Sequence, residues 1–552
     1  MSTYQDYFDK AELALAAYSD FSMVPRDVNG VILDTDEVKK QLTNLQNGII
    51  PWSEKTSDFS DKEADKFLER FEVLDQFSNT DGFSATLFRN KANGQLYFVN
   101  RGTNDAPDFV TDAILATGGK PLNQILSMVN YYLRLQAGTS HMAQQVVAMY
   151  DEDGALSFEF STPVAGVGTV NGIGNGPVEV CGHSLGGYLS TIFGYLFGGN
   201  VLSVNTYNAP GSWGVEATMR ELASLLGNST PSYAEDRQTN LIGDYLVSAV
   251  PGHRGTDIRV FEEGNAHSQK VMTDSLALQN MLASLDPTLS PANMLAIVKA
   301  ASAVDGNSLE QTLDSIRKTI LGPGTIPTKA SGASDSQASR ETYYKNLYDF
   351  MGTGQFTSLQ GKIMISTAYD TIDSRARTEF STLLSIINLS PIMITGTSTS
   401  NQTLLDSKLQ TVWSDLYSKW QADNQLTAAE RAAGKANFSD QYLKDRASML
   451  AWLIKGNIGD KRDLSGEMTI TDNSIAGDWI FTDVDGKHRI NVEHSTSSEI
   501  EDEFRNQVHF SSATKSDNFT GGSVSDFIYC GGGNDTICAD NYAAATAGRC
   551  AA

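Results

Sequence analysis

The segment that most restricts how this chain can fold is VEVCGHSLGGYLSTIFGYLFGG, residues 178–199. A short apolar run ends at a glycine, a His and a Ser follow, and two glycines lead into a helix-like run. Gly182-His183-Ser184-Leu185-Gly186 fits the pattern G-x-S-x-G. A strand that passes straight into a helix through such a serine needs a tight turn with strained dihedrals, and side chains at 182 and 186 would crowd it. The turn lifts the Ser184 hydroxyl to the head of a helix. There the Leu185 N–H faces the place where a tetrahedral oxyanion would form. His183 adjoins the serine in sequence, points elsewhere, and reads as a structural residue beneath the site. The alternative for the segment is a coincidental glycine turn.

The flanking sequence alternates between strand and helix. FSATLFRN (83–90) and QLYFVN (95–100) read as strands joined through Asn93–Gly94, a hairpin turn pair. Residues 122–135 and 140–150 read as helices. VLSVNTYNAPG, TNLIGDYLVSAVPG and DIRVFEEGNAH supply further strand-to-loop segments. This alternation predicts an α/β sheet with its loops gathered at the strand ends. Upstream, residues 61–77 carry Phe67, Phe71, Leu74 and Phe77 at helical spacing.

The character changes after about residue 275. SPANMLAIVKAASAV reads as a helix with Ser290 as N-cap and Pro291 at its first position. Residues 322–339, rich in Gly, Ser and Pro, read as a mobile loop or linker. Helices dominate 340–455. Leu405, Leu409, Val412, Leu416 and Trp420 form one stripe, and Thr427 with Glu430 forms a capping box. Such stripes are core, with a lipid-binding groove as the alternative. From 465 onward EMTITD, DWIFTDVDG and HRINVEH read as short strands.

Forty-one basic and 66 acidic residues give a net charge of -25, which argues against nucleic acid and against an anionic membrane held by charge alone. It leaves carboxylates over for divalent cations. No run approaches the roughly 20 apolar residues of a membrane helix. The N-terminal sequence has no basic region followed by a clean apolar one, so the expected location is either the cytosol or outside the cell by a route that needs no N-terminal signal. Cys181 reads as a small buried hydrophobe. Cys530, Cys538 and Cys550 cluster at the end, where a disulfide can form without its pairing being fixed by sequence.

A serine needs a general base, and the base needs an orienting acid. With chain order Ser, acid, His, the histidines in the next hundred residues are His253 and His267. His267 lies in NAHSQ after a strand-like run and is the chosen base, with His253 in VPGHRG as the alternative. Asp244 directly follows TNLIG at a strand end and is the chosen acid. Asp257 reads as the start of the next strand, Asp236 as part of a polar loop, and the other acids as surface charges. A second oxyanion donor is expected from LYFVNRGTND: the Thr103 N–H and hydroxyl, with Gly102 letting the backbone approach. The alternative for RGTN is an ordinary turn.

Together FVNRGTND, CGHSLGGYLS, YNAPG, TNLIGDYLVSAVPG and NAHSQ resemble the class 3 lipases and, within them, the calcium-dependent secreted lipases of bacterial family I.3. The resemblance spans residues 80–275, about a third of the chain. It implies an α/β-hydrolase fold with a catalytic domain over 1–275. A mainly helical region over 276–460 follows as a candidate lid or cap, and a small β-rich segment over 461–552. It implies hydrolysis of acylglycerol or phospholipid esters at an interface through a Ser184, His267, Asp244 triad and an acyl-enzyme. Triacylglycerol lipase is the first expectation. Phospholipase A1, or an inactive lipase-like module of an extracellular calcium protein, is the alternative. Asn100 stands where many relatives have Phe.

The tail contains GGSVSDFIY (521–529) and CGGGNDTIC (530–538), which align in nines on G-G-x-G-x-D-x-U-x. They resemble the RTX repeats of proteins exported by type I secretion. That resemblance implies Ca²⁺ held by Asp526, Asn534 and Asp535 with backbone carbonyls, and a secreted protein. A metal-free glycine-rich loop and a cytoplasmic or injected protein are the alternatives. Val524 and Cys530 stand where glycines are expected.

Overall fold

The computed structural model describes residues 3–22, 24–26, 32, 35–43, 59–102, 121–167, 173, 176–212, 216–228, 235–245, 252–263, 267–301, 308–328, 337–367, 372–459, 467–475, 477–494, 505–512, 515–521, 524–530 and 536–538. The chain forms two compact units. One comprises residues 1–280 with 335–345, the other 281–334 with 346–552.

The first unit is built on a seven-stranded sheet in the order β1-β2-β3-β6-β7-β8-β9. Its strands are β1 (Phe71–Ser78), β2 (Ser84–Asn90), β3 (Leu96–Asn100), β6 (Val178–His183), β7 (Val201–Tyr207), β8 (Gln238–Gly243) and β9 (Thr256–Val260). β1, β2 and β3 pair antiparallel, and β3, β6, β7, β8 and β9 pair parallel. Gly94 adopts φ 75° in the β2–β3 turn, as the Asn93–Gly94 pair requires. Helices α1 (Thr3–Ala16), α2 (Thr35–Thr43), α3 (Asp61–Arg70), α4 (Leu122–Ala137), α5 (Leu185–Phe197), α6 (Glu216–Leu225) and α7 (Gln269–Leu285) accompany the sheet.

One face of the sheet is sealed by aromatic packing. Phe98 of β3 stacks on Phe193 of α5 at 4.8 Å, and Tyr132 of α4 meets Phe193 edge-on at 4.6 Å. Each such ring, taken from water, contributes about 1.5–3 kcal/mol. Side chains alternate along a strand, so Glu179 and Ser203 leave from the opposite face to Val180 and Val204. Lys10 of α1 meets them there, 2.9 Å from Ser203 Oγ and 3.1 Å from Glu179.

Two expectations fail in this unit. Residues 71–77 are strand, not helix. Ser60 and Glu63 form the capping box of α3, and the backbone turns extended at Phe71 to pair with β2. Of residues 140–150, Met142–Tyr150 is likewise strand. β4 (Met142–Tyr150) pairs antiparallel with β5 (Leu156–Ala165) around a turn in which Asp151 Oδ1 accepts the N–H groups of Asp153 and Ala155. Val146 then reaches the core, with Ala148 and Phe158 packed beside it. In both segments apolar residues at helical spacing were outweighed by pairing with a neighbouring strand.

The second unit is mainly helical over 291–458, with a ribbon of β10 (Ile363–Thr367) and β11 (Ile392–Gly396), and ends in short strands. Ser290 caps its helix through Asn293 N–H, and the Thr427–Glu430 capping box is present. The predicted stripe over 405–420 is broken at Trp413 (φ -121°, ψ 37°), which separates helices Thr399–Val412 and Ser414–Asn424. The buried Trp413 indole donates to Thr319 O at 2.9 Å. Strands β12 (Glu467–Thr471), β13 (Trp479–Asp483), β14 (His488–Glu493), β15 (Asn506–Phe510) and β17 (Asp526–Tyr529) form a sheet in the order β12-β14-β13-β15-β17. β16 (Asn518–Thr520) pairs parallel with β18 (Thr536–Cys538). Cys530 is disulfide-bonded and Cys181 is free and buried.

A buried charge network ties the helices of the first unit together. Arg340 bridges Glu63 at 2.9 Å and Asp274 at 2.7 Å, and all three are buried or nearly so. Burial pushes the Glu63 carboxyl up to about 7 even with the guanidinium beside it. Removing the cation orphans two carboxyls, so Arg340→Met should lower stability by about 3–5 kcal/mol. Urea unfolding should show a larger loss at pH 8 than at pH 5, where Glu63 carries its proton. An unchanged midpoint at both values would disprove this role.

Candidate active site

Parallel strands end together, and the segments leaving them meet at one edge of the sheet. Ser184 leaves β6 with φ 54° and ψ -127°, a strained conformation for a residue with a side chain, and is 3% exposed. Its N–H donates to Tyr207 O at 2.8 Å, and its carbonyl accepts from Gly187 and Tyr188 to begin α5. The N–H groups of Leu185 and Gly186 therefore precede the first hydrogen-bonded turn.

The glycines are needed for space. A Cβ on Gly182 would lie 2.6 Å from Asn100 O and 2.4 Å from Gly186 O, and one on Gly186 would lie 2.2 Å from Asn100 O. The backbones of β3, β6 and α5 touch there. Asn100 is accommodated by polar bonds: its Nδ2 donates to Ser190 Oγ at 3.1 Å, and Ser190 Oγ donates to Gly186 O at 2.8 Å.

His267, in the segment after β9, has its Nε2 2.8 Å from Ser184 Oγ. Burial lowers its basicity, so the ring is neutral near pH 7 and can accept the serine proton. The His183 ring lies 4.9 Å from it, centroid to centroid. His183 Nδ1 is 2.7 Å from Tyr18 Oη. Burial, with His267 nearby, holds His183 well below the ordinary histidine range, so it stays uncharged beneath the site.

Asp244 follows β8 as predicted. Its N–H donates to Val260 O at 2.9 Å, and its Oδ1 accepts the Glu262 N–H at 3.2 Å. Among the described residues, no hydrogen bond joins it to His267, whose partner is Ser184. Of the weighed alternatives, His253 is held by Asp257 at 3.2 Å and Ala209 O at 3.0 Å, Asp257 also accepts from Asn240, and Asp236 is exposed. Thr103 lies outside the described residues. Gly102 is described, and a Cβ there would sit 2.6 Å from Tyr18 Oη and 3.2 Å from Ser184 Cβ.

Three polar residues near this edge escaped the sequence reading: Tyr18, Asn208 and Glu262. Asn208 (φ 47°) directly follows β7, and an Asn, which tolerates positive φ, just after a strand in YNAPG was the available signal. Glu262 is 2% exposed, not the surface charge expected of it. Of the expected calcium ligands, Asp526 begins β17, and Asn534 and Asp535 lie outside the described residues. No group of three His, Cys, Asp or Glu side chains suited to a metal occurs among the described residues. No described helix is long and apolar enough to cross a membrane.

No family model matches the chain, and no curated protein matches it. Among solved structures it is similar to the Lip2 lipase from Yarrowia lipolytica, at 15% identity over 47% of this chain and 80% of that one, with a TM-score of 0.24. A likeness this weak adds nothing to the chemistry of the site, which rests on the distances above.

Gly186→Ala should cost about 1–3 kcal/mol, because its Cβ meets a backbone carbonyl that cannot rotate away. The control, Gly199→Ala, meets nothing within 4 Å and should stay within about 0.5 kcal/mol of the parent. Thermal melts of the two variants test this, and equal melting temperatures would contradict the close approach.

Proposed function

We propose that the chain is a serine ester hydrolase acting on lipid esters. The observation that carries the reading is a neutral His267 with its Nε2 2.8 Å from the hydroxyl of a serine on a strained strand-to-helix turn. Ser184 Oγ attacks the ester carbonyl as His267 takes its proton. The tetrahedral oxyanion is received by the Leu185 N–H and by Thr103. His267 returns the proton to the departing alcohol, leaving an acyl-enzyme. Water, deprotonated by the same ring, attacks the acyl carbon and restores Ser184 as the fatty acid leaves. Asp244 is the acid assigned to support His267.

Lipid as substrate class rests on the sequence resemblance. Exposed apolar side chains on the β4–β5 ribbon also support it, among them Met142 at 63% and Tyr150 at 65%. The disulfide at Cys530 supports a location outside the reducing cytosol. We also propose Ca²⁺ at the tail, held by Asp526, Asn534 and Asp535. The parallel pairing of β15 with β17 and of β16 with β18 supports a coiled parallel arrangement there. The ion supplies local folding energy and no step of the chemistry.

Ser184→Ala should abolish turnover of a p-nitrophenyl acyl ester while leaving the melt unchanged, and surviving turnover rejects the assignment. Fatty-acid release from triacylglycerol and from phospholipid, measured side by side, separates lipase from phospholipase A1. Because burial lowers His267 basicity, the acid limb of the rate profile should fall below the ordinary histidine value of about 6.5. A limb above that value contradicts the neutral-base reading. Calcium should raise the parent melting temperature and barely move that of Asp526→Ala with Asp535→Ala. Equal shifts in calorimetry would exclude these ligands.

A further inference from the structure

A closed set of polar contacts joins the ends of β7, β8 and β9. Asn208 Nδ2 donates to Glu262 Oε1 at 2.6 Å, and Asn208 Oδ1 accepts the Gly243 N–H at 2.8 Å. The Glu262 N–H donates to Asp244 Oδ1 at 3.2 Å. The other carboxyl oxygen of Glu262 lies over the Gly243 Cα, so that a Cβ there would be 2.0 Å from it. Gly243 ends β8, and Asp244 opens the turn that would present the supporting acid to His267. Glu262 is packed into that turn from one side, and Asn208 holds both.

Among the described residues this carboxyl has acidic company and no cation. Glu262 forms no ion pair among them, and Arg259 of β9 donates to Gly243 O at 3.0 Å. The titratable group facing it from β8 is Asp244, and from β7 the uncharged Asn208. A buried carboxylate beside a second carboxylate keeps its proton.

Resting on the hydrolase reading above, we propose that Glu262 is a positioning residue whose neutral carboxyl, clamped by Asn208, fixes the turn that carries Asp244 toward His267. Burial pushes its carboxyl up to about 8, with the Asn208 bond opposing the shift and the Asp244 charge adding to it. Below that pH the turn is locked. Above it, a negative charge appears on the buried Glu262 carboxyl beside Asp244, and the turn loosens.

The test is the rate at which a fluorophosphonate labels Ser184 from pH 5 to 10 in the full chain, with melting temperatures over the same range. Glu262→Ala should slow labelling about tenfold or more. Glu262→Gln, which copies the protonated acid, should rescue most of that loss and move the alkaline limb up by about one pH unit or more from its parental position near 8. A Glu262→Ala rate within about threefold of the parent, or an unmoved alkaline limb in Glu262→Gln, overturns the proposal. The melts need no chemistry. The native state holds a proton that the unfolded chain releases near pH 4.3, so this group's support declines between about 4.3 and 8. The melting temperature of Glu262→Gln should therefore gain on the parent across that window and level off above it, and a constant difference also overturns the proposal. A parent that never labels rejects the hydrolase reading itself; a labelled parent with a flat comparison rejects only the role of Glu262.

Discussion

Two glycine α-carbons lying against one carbonyl hold the first unit's strand ends together. The Asn100 carbonyl occupies the space that a side chain at 182 or 186 would need. That contact lets β3, β6 and α5 converge within the width of a backbone and forces Ser184 into φ 54°. Strain of this kind costs about 1–3 kcal/mol and persists only where the surroundings fix it. Here they do so on three sides. The Ser184 N–H is bound by β7, its carbonyl starts α5, and α5 is anchored by Phe193 between Phe98 and Tyr132. The hydroxyl is therefore positioned by the packing of the whole sheet.

The same edge collects the other polar groups because parallel strands all end there. Ser184 follows β6, Asn208 follows β7, Asp244 follows β8, and Glu262 and His267 follow β9. Two of the described non-glycine residues with positive φ, Ser184 and Asn208, stand at neighbouring strand ends. Each gives up a regular conformation to place a side chain. Ser184 places a hydroxyl against His267, and Asn208 spans from Gly243 to Glu262.

How much could be read in the sequence follows from where each signal was stored. Asn93–Gly94, Ser290–Pro291 and Thr427–Glu430 encode their turns and caps locally, and all appear in the structure. The serine turn was legible because its glycines have no other use. The placement of Asp244 at a strand end was legible from the apolar run that stops at it, and that of His267 from its loop after the last strand-like run. Residues 71–77 and 142–150 were misread because Phe71, Leu74 and Phe77, or Met142, Val146 and Met149, fit a helix as well as a half-buried strand. The deciding partners lay in β2 and β5. Trp413 was invisible as a break because its indole is satisfied by a carbonyl 94 residues away. Glu262 and Asn208 were missed for the same reason: burial of an acid is a property of the assembled turn.

That assembly changes what the acidic composition means. A formal charge of -25 counts every carboxyl as ionised. Glu12 and Glu262 are pushed up to about 8 and Glu63 to about 7, burial being the main cause in each. The folded chain is therefore less negative near neutral pH than its formula, and self-repulsion is correspondingly reduced. The three groups do not respond alike to rising pH. Glu12 faces Arg70 and Glu63 faces Arg340, so each ionises into an ion pair that offsets part of its lost hydration. Among the described residues Glu262 ionises toward Asp244, with the Asn208 amide to receive the charge. Of these three buried acids, Glu262, packed against the turn that carries Asp244, is the one that gains least by ionising, because among the described residues no ion pair receives its charge.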